Sequence, residues 1–196
     1  FYSQNGVNDE IYIIDANGAN FTNLTQTPGN DRHPQFSPDG SKIVFTSDRG
    51  GNREIYVMNS NGSNQTRLTN NNVTDHSPQF SPEGKKIVFY STFYNPMAVT
   101  EPYDIFTVDI DGNNLTKLTP DSLYSHNSGI IREKYASPNV LDAAPRYSPD
   151  GSKIVFMTYY ENYFVINMMD SLGNNRTRLT FLERDNFAPF FFPDGS

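Results

Sequence analysis

The sequence predicts an all-β fold, a β-propeller of four-stranded antiparallel blades, with about four blades' worth of repeats in 196 residues. Three observations lead to this prediction. One phrase of 44 residues recurs, each copy holds four short runs of β-branched and aromatic residues, and no long helical periodicity interrupts them. We therefore interpret residues 1–196 as a single propeller domain or a portion of one.

The repeat is most visible in its turns. The glycines of the Pro-Asp-Gly turns, and of one Pro-Glu-Gly turn, are spaced 44, 67 and 44 residues apart: Gly40, Gly84, Gly151 and Gly195. A second set of turn glycines each precedes a leucine by six residues: Gly18, Gly62, Gly112 and Gly173. The repeat units are therefore predicted at 1–30, 31–74, 75–141 and 142–185, with 186–196 as a closing or next-blade first strand.

Each unit contains predicted strands in one order, all rich in Ile, Val, Phe, Tyr and Thr. The first strand begins at a proline, where no ladder hydrogen bond is needed, at 34–36, 78–80, 145–147 and 189–191. The second strand is predicted at 42–47, 86–91 and 153–158. The third is predicted at 10–15, 54–59 and 104–109. The fourth is predicted at 66–69, 116–119 and 177–180.

The turns between these strands have their own sequence signals. In Ser-Pro-Asp-Gly, Pro38 sets φ for the second turn position, Asp39 tolerates the third, and Gly40 allows an unhindered exit. Asn61-Gly62 is a dipeptide that favours a tight hairpin with positive φ. Each unit is therefore predicted to be an antiparallel meander, and packing several meanders around an axis covers both faces of each sheet.

The stretch "PQFSPDGSKIVFTSDRGGNREIYVMNSNGSNQTRLT", from 34 to 69, resembles the repeat of the TolB-type propellers, which are distant relatives of the WD40-like repeat. The resemblance covers nearly the whole chain. Two features depart from the family pattern. Phe36, Phe80, Tyr147 and Phe191 stand where the family often has Trp. Asn167 replaces the third-strand aromatic found at Tyr12, Tyr56 and Phe106, which leaves the register of that blade open.

Counting predicted strands gives three, then four, four and four, and one more at the end of the chain. Three arrangements remain open. The chain is part of a six- to eight-bladed ring, or it is a closed four-bladed ring in which the last strand completes the first blade, or it completes a ring with a second copy. An isolated open arc is disfavoured because it leaves strand edges and apolar faces uncovered.

Two insertions, 92–103 and 120–141, flank the same predicted blade and lie at the same end of it. Long loops on a rigid scaffold often carry binding. Both insertions contain aromatic, Met and Arg residues, which protein interfaces favour. The predicted partner-binding residues are Tyr94, Met97, Tyr103, Tyr124, Ile131, Arg132 and Tyr135. The alternative is that these side chains only pack the loops against the blades.

The first strands are predicted to begin at this same end, near a central channel. An acidic or amide residue stands three positions before each strand proline, and two histidines lie close by; the predicted channel-mouth residues are Asp31, His33, Asp75, His76, Asp142 and Asn186. Convergent carboxylates attract cations or basic peptides. The alternative is that each aspartate caps its own turn.

Composition excludes several function classes. A net charge of −7 argues against a nucleic-acid partner. No apolar run reaches the roughly 20 residues of a membrane span, and the chain has no Cys for nucleophilic or redox chemistry. No serine-nucleophile elbow or phosphate loop is present. His33 and His76 occupy different repeat positions, so no metal or other cofactor is predicted, with a channel-mouth cation as the alternative.

The resemblance implies a non-catalytic propeller that binds a protein or peptide and lies in the periplasm or outside the cell. It also leaves two enzymatic alternatives. One is a metal-dependent carbohydrate lyase or hydrolase, because propeller lyases that act on pectin fragments resemble this repeat. The other is the gating propeller of a larger serine peptidase, as in the prolyl oligopeptidase and tricorn families.

Overall fold

A computed structural model describes residues 1–4, 6–92, 103–119, 141–160, 163–180 and 185–195. Within these ranges the chain forms fifteen β-strands and no helix. The described residues therefore contain no helix long and apolar enough to span a membrane. The predicted all-β class, built from antiparallel meanders, is confirmed.

The first two blades lie within the first 69 residues. Their strands are β1 (Tyr2–Gln4), β2 (Asp9–Ile13), β3 (Thr22–Asn23), β4 (Asp31–Phe36), β5 (Lys42–Ser47), β6 (Glu54–Asn59) and β7 (Thr66–Arg67). The first blade is a three-stranded sheet in the order β1-β2-β3, and the second is a four-stranded sheet in the order β4-β5-β6-β7. Neighbouring strands pair antiparallel in both sheets.

The third and fourth blades follow the same plan. Their strands are β8 (Asp75–Phe80), β9 (Lys86–Thr92), β10 (Tyr103–Asp109), β11 (Thr116–Lys117), β12 (Leu141–Tyr147), β13 (Lys153–Tyr160), β14 (Tyr163–Asp170) and β15 (Thr177–Arg178). The third meander is β8-β9-β10-β11 and the fourth is β12-β13-β14-β15. One parallel pair, Tyr103 with Leu141, joins β10 to β12.

The innermost strands correct one prediction. We predicted that each begins at its proline, but β4 begins at Asp31 and β8 at Asp75, so Pro34 and Pro78 lie inside their strands. The β4–β5 ladder shifts register between Arg32 and Gln35, which is a β-bulge. The bulge accommodates a residue that has no N–H to give to the ladder.

The residue before each of these prolines adopts a positive φ, which is uncommon for residues other than glycine. It recurs in four repeats, with values between 46° and 54°: His33, Ser77, Ala144 and Ala188. The repeated geometry indicates that the bulge is part of the blade design. Residues 189–191, predicted as a further first strand, are described by the structure and do not form a strand.

The register of the fourth blade matches that of the second. Phe45 pairs with Tyr56 across β5 and β6, and Phe156 pairs with Asn167 across β13 and β14. Replacement of the aromatic by Asn167 therefore does not shift the strand.

The chain divides into two compact units, Phe1–Ile87 with Val108–Leu115, and Val88–Thr107 with Thr116–Ser196. Each unit contains a cluster of buried aliphatic and aromatic side chains. In the first unit the buried core residues are Ile11, Leu24, Ile43, Phe45, Tyr56 and Met58. In the second they are Val88, Ile105, Leu118, Ile154, Phe156 and Met169.

The turn glycine of one repeat packs against the leucine of the repeat before it. Gly62 has a φ of +85°, and a Cβ on it would lie 2.9 Å from the carbonyl oxygen of Leu24 in the preceding repeat. The corresponding distance is 2.6 Å between Gly173 and Leu118. The turn of one blade thus packs closely on the leucine backbone of the blade before it, and a side chain does not fit there.

Candidate functional site

The described ends of the two insertions meet at one sheet edge. Tyr103, where β10 begins, pairs with Leu141, where β12 begins. The ring of Tyr103 is half-buried and packs edge-on against Tyr90, with ring centres 5.4 Å apart. The other predicted partner-binding residues lie outside the described residues: Tyr94, Met97, Tyr124, Ile131, Arg132 and Tyr135. Partner binding by this set stays a prediction.

The predicted channel-mouth aspartates are interior groups at the start of the innermost strands. Asp31 has no exposed side-chain surface. The guanidinium of Arg49 donates to both carboxylate oxygens of Asp31 at 3.0 Å, and the hydroxyl of Thr27 donates to it at 3.2 Å. The negative charge of Asp31 is thereby matched inside the protein, as buried charges generally are.

Asp142 is matched in a similar way by another arginine. The guanidinium of Arg176 donates to both oxygens of Asp142 at 2.9 Å, and the Thr158 hydroxyl donates to it at 2.6 Å. Burial raises the pKa of Asp142, while the charge of Arg176 and the hydrogen bond from Thr158 oppose that rise. In the third blade, Asp75 is also buried, and its backbone N–H donates to the carbonyl oxygen of Arg53 at 2.9 Å.

Asn186 also contacts backbone rather than other predicted mouth residues. Its backbone N–H and its side-chain amide donate to the carbonyl oxygen of Phe164 at 2.9 and 3.1 Å. Asp31 and Asp142 are therefore not exposed carboxylates, and the contacts described for Asn186 hold the edge of β14. Binding of a cation or peptide by the predicted mouth stays a prediction.

The two histidines of the predicted mouth are brought together around an arginine. Nη1 of Arg53 lies 3.0 Å from Nδ1 of His76, and Nδ1 of His33 lies 3.3 Å from the hydroxyl of Thr46. Because a guanidinium only donates, Nδ1 of His76 acts as the acceptor in this contact. Burial, and then the charge of Arg53, lowers the pKa of both histidines, and that of His76 falls to about 4.

The sequence analysis did not predict the two arginines beside these histidines, Arg32 and Arg53. Arg32 and Arg53 are not repeated in the other units, so a search for recurring residues passed over them. Arg32 forms an ion pair with Asp9, which lies on β2. The sequence does contain a signal for them: each is a cationic residue at a position where the neighbouring repeats carry uncharged or acidic residues.

The remaining acids of the first unit are used in local networks. Glu54 is buried and accepts hydrogen bonds from Arg67 at 2.7 Å and from Asn52 at 2.9 Å. Asn8 makes the equivalent 2.9 Å bond to Glu10 one repeat earlier. Among the described residues, no group of three or more His, Asp or Glu side chains is arranged to hold a metal ion.

Solved structures similar to this protein support the propeller fold that its repeat predicts. The protein is similar to solved TolB structures from Agrobacterium tumefaciens, with 24% identity and a TM-score of 0.69, and from Acinetobacter baumannii, with 21% identity and a TM-score of 0.70. The alignments cover 97% and 95% of this chain but only 64% and 41% of those chains. At these identities the likeness shows the propeller fold.

Two sequence comparisons place the protein in a family. A segment of 40 residues is 50% identical to the Tol-Pal system protein TolB of Bordetella pertussis, and it covers 20% of this chain and 9% of that relative. The family model described as TolB beta propeller domain matches residues 1–128. The match extends over more than half of the sequence and includes the first two repeats and most of the third. The chain belongs to the TolB beta propeller domain family.

Proposed function

We propose that this chain is a non-catalytic, protein-binding propeller of the periplasm, which recognises its partner through the loop face that carries the insertions 92–103 and 120–141. Family membership supports the scaffold role, and relatives named as Tol-Pal system proteins support a protein partner and a periplasmic location. The net charge of −7 favours a protein or peptide over a nucleic acid.

One observation carries the choice of this face. Pairing of Tyr103 with Leu141 brings together the points where the two insertions return to the sheet. Two long loops that end beside each other on rigid strands can form one continuous surface. Their sequences supply the Tyr, Met and Arg side chains that are enriched in protein interfaces.

A site-specific photo-crosslinker tests the proposal directly. It is placed at Tyr103, and an envelope extract of the source organism is illuminated with the purified protein. We expect one dominant crosslinked protein, which is identified by mass spectrometry. The matched control carries the same crosslinker at Leu115, an exposed hydrophobic residue beyond the other end of β10, and it should not capture that protein.

A loop variant separates binding from folding. Residues 93–102 are replaced by a short Gly-Ser connector, which leaves β9 and β10 intact. We expect unchanged far-UV circular dichroism and loss of the Tyr103 crosslink. The proposal fails if the loop variant still captures the same protein, or if Leu115 captures it as efficiently as Tyr103.

A further inference from the structure

We propose that Arg32, His33, Arg53 and His76 form a binding site for an oxyanion, a carboxylate or phosphate group. This inference is independent of the proposed function, because it concerns a cluster in the first compact unit and uses no residue of the insertions. It rests on where the four side chains lie, on one guanidinium donor that has no acceptor in the described part of the chain, and on the charges around them.

The four side chains come from neighbouring strands. Arg32 and His33 lie on β4, His76 lies on β8, and Arg53 directly precedes β6. Arg53 contacts His76 at 3.0 Å, and its charge acts on both histidines. All four residues are half-buried, so the cluster is partly open to solvent, although Nε of Arg53 itself is buried.

One donor of Arg53 has no acceptor among the described residues. Its Nε is buried and has no hydrogen-bond partner among the residues that the structure describes. Nη1 faces His76, which leaves the edge formed by Nε and Nη2. That edge presents two parallel N–H groups, the arrangement that matches a carboxylate or phosphate. A bound oxyanion would supply the missing acceptor.

Three acids near the cluster form ion pairs, one of them with Arg32 of the cluster itself. Asp9 pairs with Arg32, Asp31 with Arg49, and Glu54 with Arg67. On β8, the backbone N–H of Asp75 donates to the carbonyl oxygen of Arg53, and its side chain accepts from Asn71 at 3.4 Å. The ring of Tyr2 packs edge-on against that of His33, with ring centres 5.8 Å apart, and the Thr46 hydroxyl lies 3.3 Å from Nδ1 of His33.

The charges that act on the two histidines are cationic. Arg53 and Arg32 lower the pKa of His33, and Arg53 and His33 lower that of His76. The two histidines are therefore exposed to a positive potential from these arginines, in a protein whose net charge is −7. An anion bound between the guanidinium and the imidazoles would offset that potential and raise the pKa of both histidines. Binding should consequently become tighter as pH falls.

The test uses imidazole NMR resonances of the intact chain. His33 and His76 are titrated with pH in chloride buffer, in acetate, in inorganic phosphate and with a short Asp- and Glu-rich peptide. We expect the pKa of His76 to rise by about one unit or more with at least one oxyanion. Response to acetate and peptide alone assigns a carboxylate, response to phosphate alone assigns a phosphate, and response to all assigns a general oxyanion site.

Two variants and one control make the outcome decisive. R53Q should abolish the response, and R53K, which keeps the charge but loses the paired donors, should weaken it at least several-fold. R146Q changes an arginine outside the cluster and should respond as the unaltered protein does. The proposal is overturned if no oxyanion at tens of millimolar shifts either histidine, or if R53K and R53Q respond like R146Q.

Discussion

The second blade, β4–β7, and the fourth blade, β12–β15, each have a buried aspartate near the start of the innermost strand, but arginines from different loops neutralise it. In the second blade, Arg49 comes from the β5–β6 loop and reaches Asp31 at 3.0 Å. Its guanidinium lies over the ring of Tyr56, 4.8 Å from the centre. Arg49 also donates to the side-chain oxygen of Gln65 at 2.6 Å.

In the fourth blade, Arg176 occupies the repeat position of Gln65 and reaches Asp142 from the β14–β15 connection. It lies over Phe156, 4.9 Å from the ring centre. Asn167 stands where the second blade has Tyr56, and its amide donates to the Thr158 hydroxyl at 2.8 Å. The second and fourth blades therefore both match the charge of this aspartate with an arginine, but a different loop supplies the arginine in each.

The largest expected effect comes from removing one of these arginines. R176M leaves Asp142 buried and without its cation, which should lower the free energy of unfolding by about 3–5 kcal/mol. Denaturant titration measures it. R176M/D142N removes the buried charge as well and should recover a substantial part of the loss. If R176M unfolds at the same denaturant concentration as the unaltered protein, the ion pair does not stabilise the fourth blade.

A smaller effect is expected at the turn glycines. In G173A the added Cβ would lie 2.6 Å from the Leu118 carbonyl oxygen, in addition to the strain of a φ of +87°. In G18A the φ is +83° but the Cβ meets open space. We expect G18A to cost about 1 kcal/mol and G173A to cost about 1–3 kcal/mol more. Thermal unfolding of both variants checks the order, and equal losses would contradict close packing at Gly173.

The smallest expected effect is a loss of stability at low pH, when the turn aspartates Asp39 and Asp150 become protonated. Hydrogen bonds from Ser37 and Ser41 lower the pKa of Asp39 to about 2, and those from Ser148 and Ser152 do the same for Asp150. A lowered folded-state pKa means that each aspartate stabilises the fold above its ordinary pKa of 3.8, and this contribution is lost as pH falls toward about 2.

Carboxyl carbon NMR measures these two groups separately. We expect Asp39 and Asp150 to titrate together near pH 2, since the two turns have the same contacts. S37A, which removes the hydrogen bond that lowers this pKa most, should raise the pKa of Asp39 and leave that of Asp150 unchanged. Titration of both groups at their ordinary pKa would show that the two turns do not hold their carboxylates as described.

Much of the blade was predictable because it depends on local, repeated signals. The 44-residue period, the Asn-Gly and Pro-Asp-Gly turns and the β-branched runs predict the meanders correctly. The bulge at Pro34 was not predicted, since a proline near a strand end is compatible with either a start or a bulge. Strands β4 and β8 each begin three residues before the predicted position.

The charged contacts were less predictable. Asp31 recurs in the repeat, but its partner Arg49 does not, and the fourth blade uses Arg176 instead. The pairing of Arg53 with His76 joins residues 23 positions apart on different blades. Such contacts depend on how neighbouring sheets pack, and a search for repetition does not reveal side chains that occur only once.

In the second and fourth blades, the aspartate near the start of the innermost strand needs an arginine, but that arginine can come from either of two loops. The most direct test transplants the fourth-blade arrangement into the second blade. R49M alone should lower the free energy of unfolding by about 3–5 kcal/mol. R49M/Y56N/Q65R, which places an arginine at the position of Arg176, should recover more than half of that loss. If the triple variant is no more stable than R49M, the claim is contradicted.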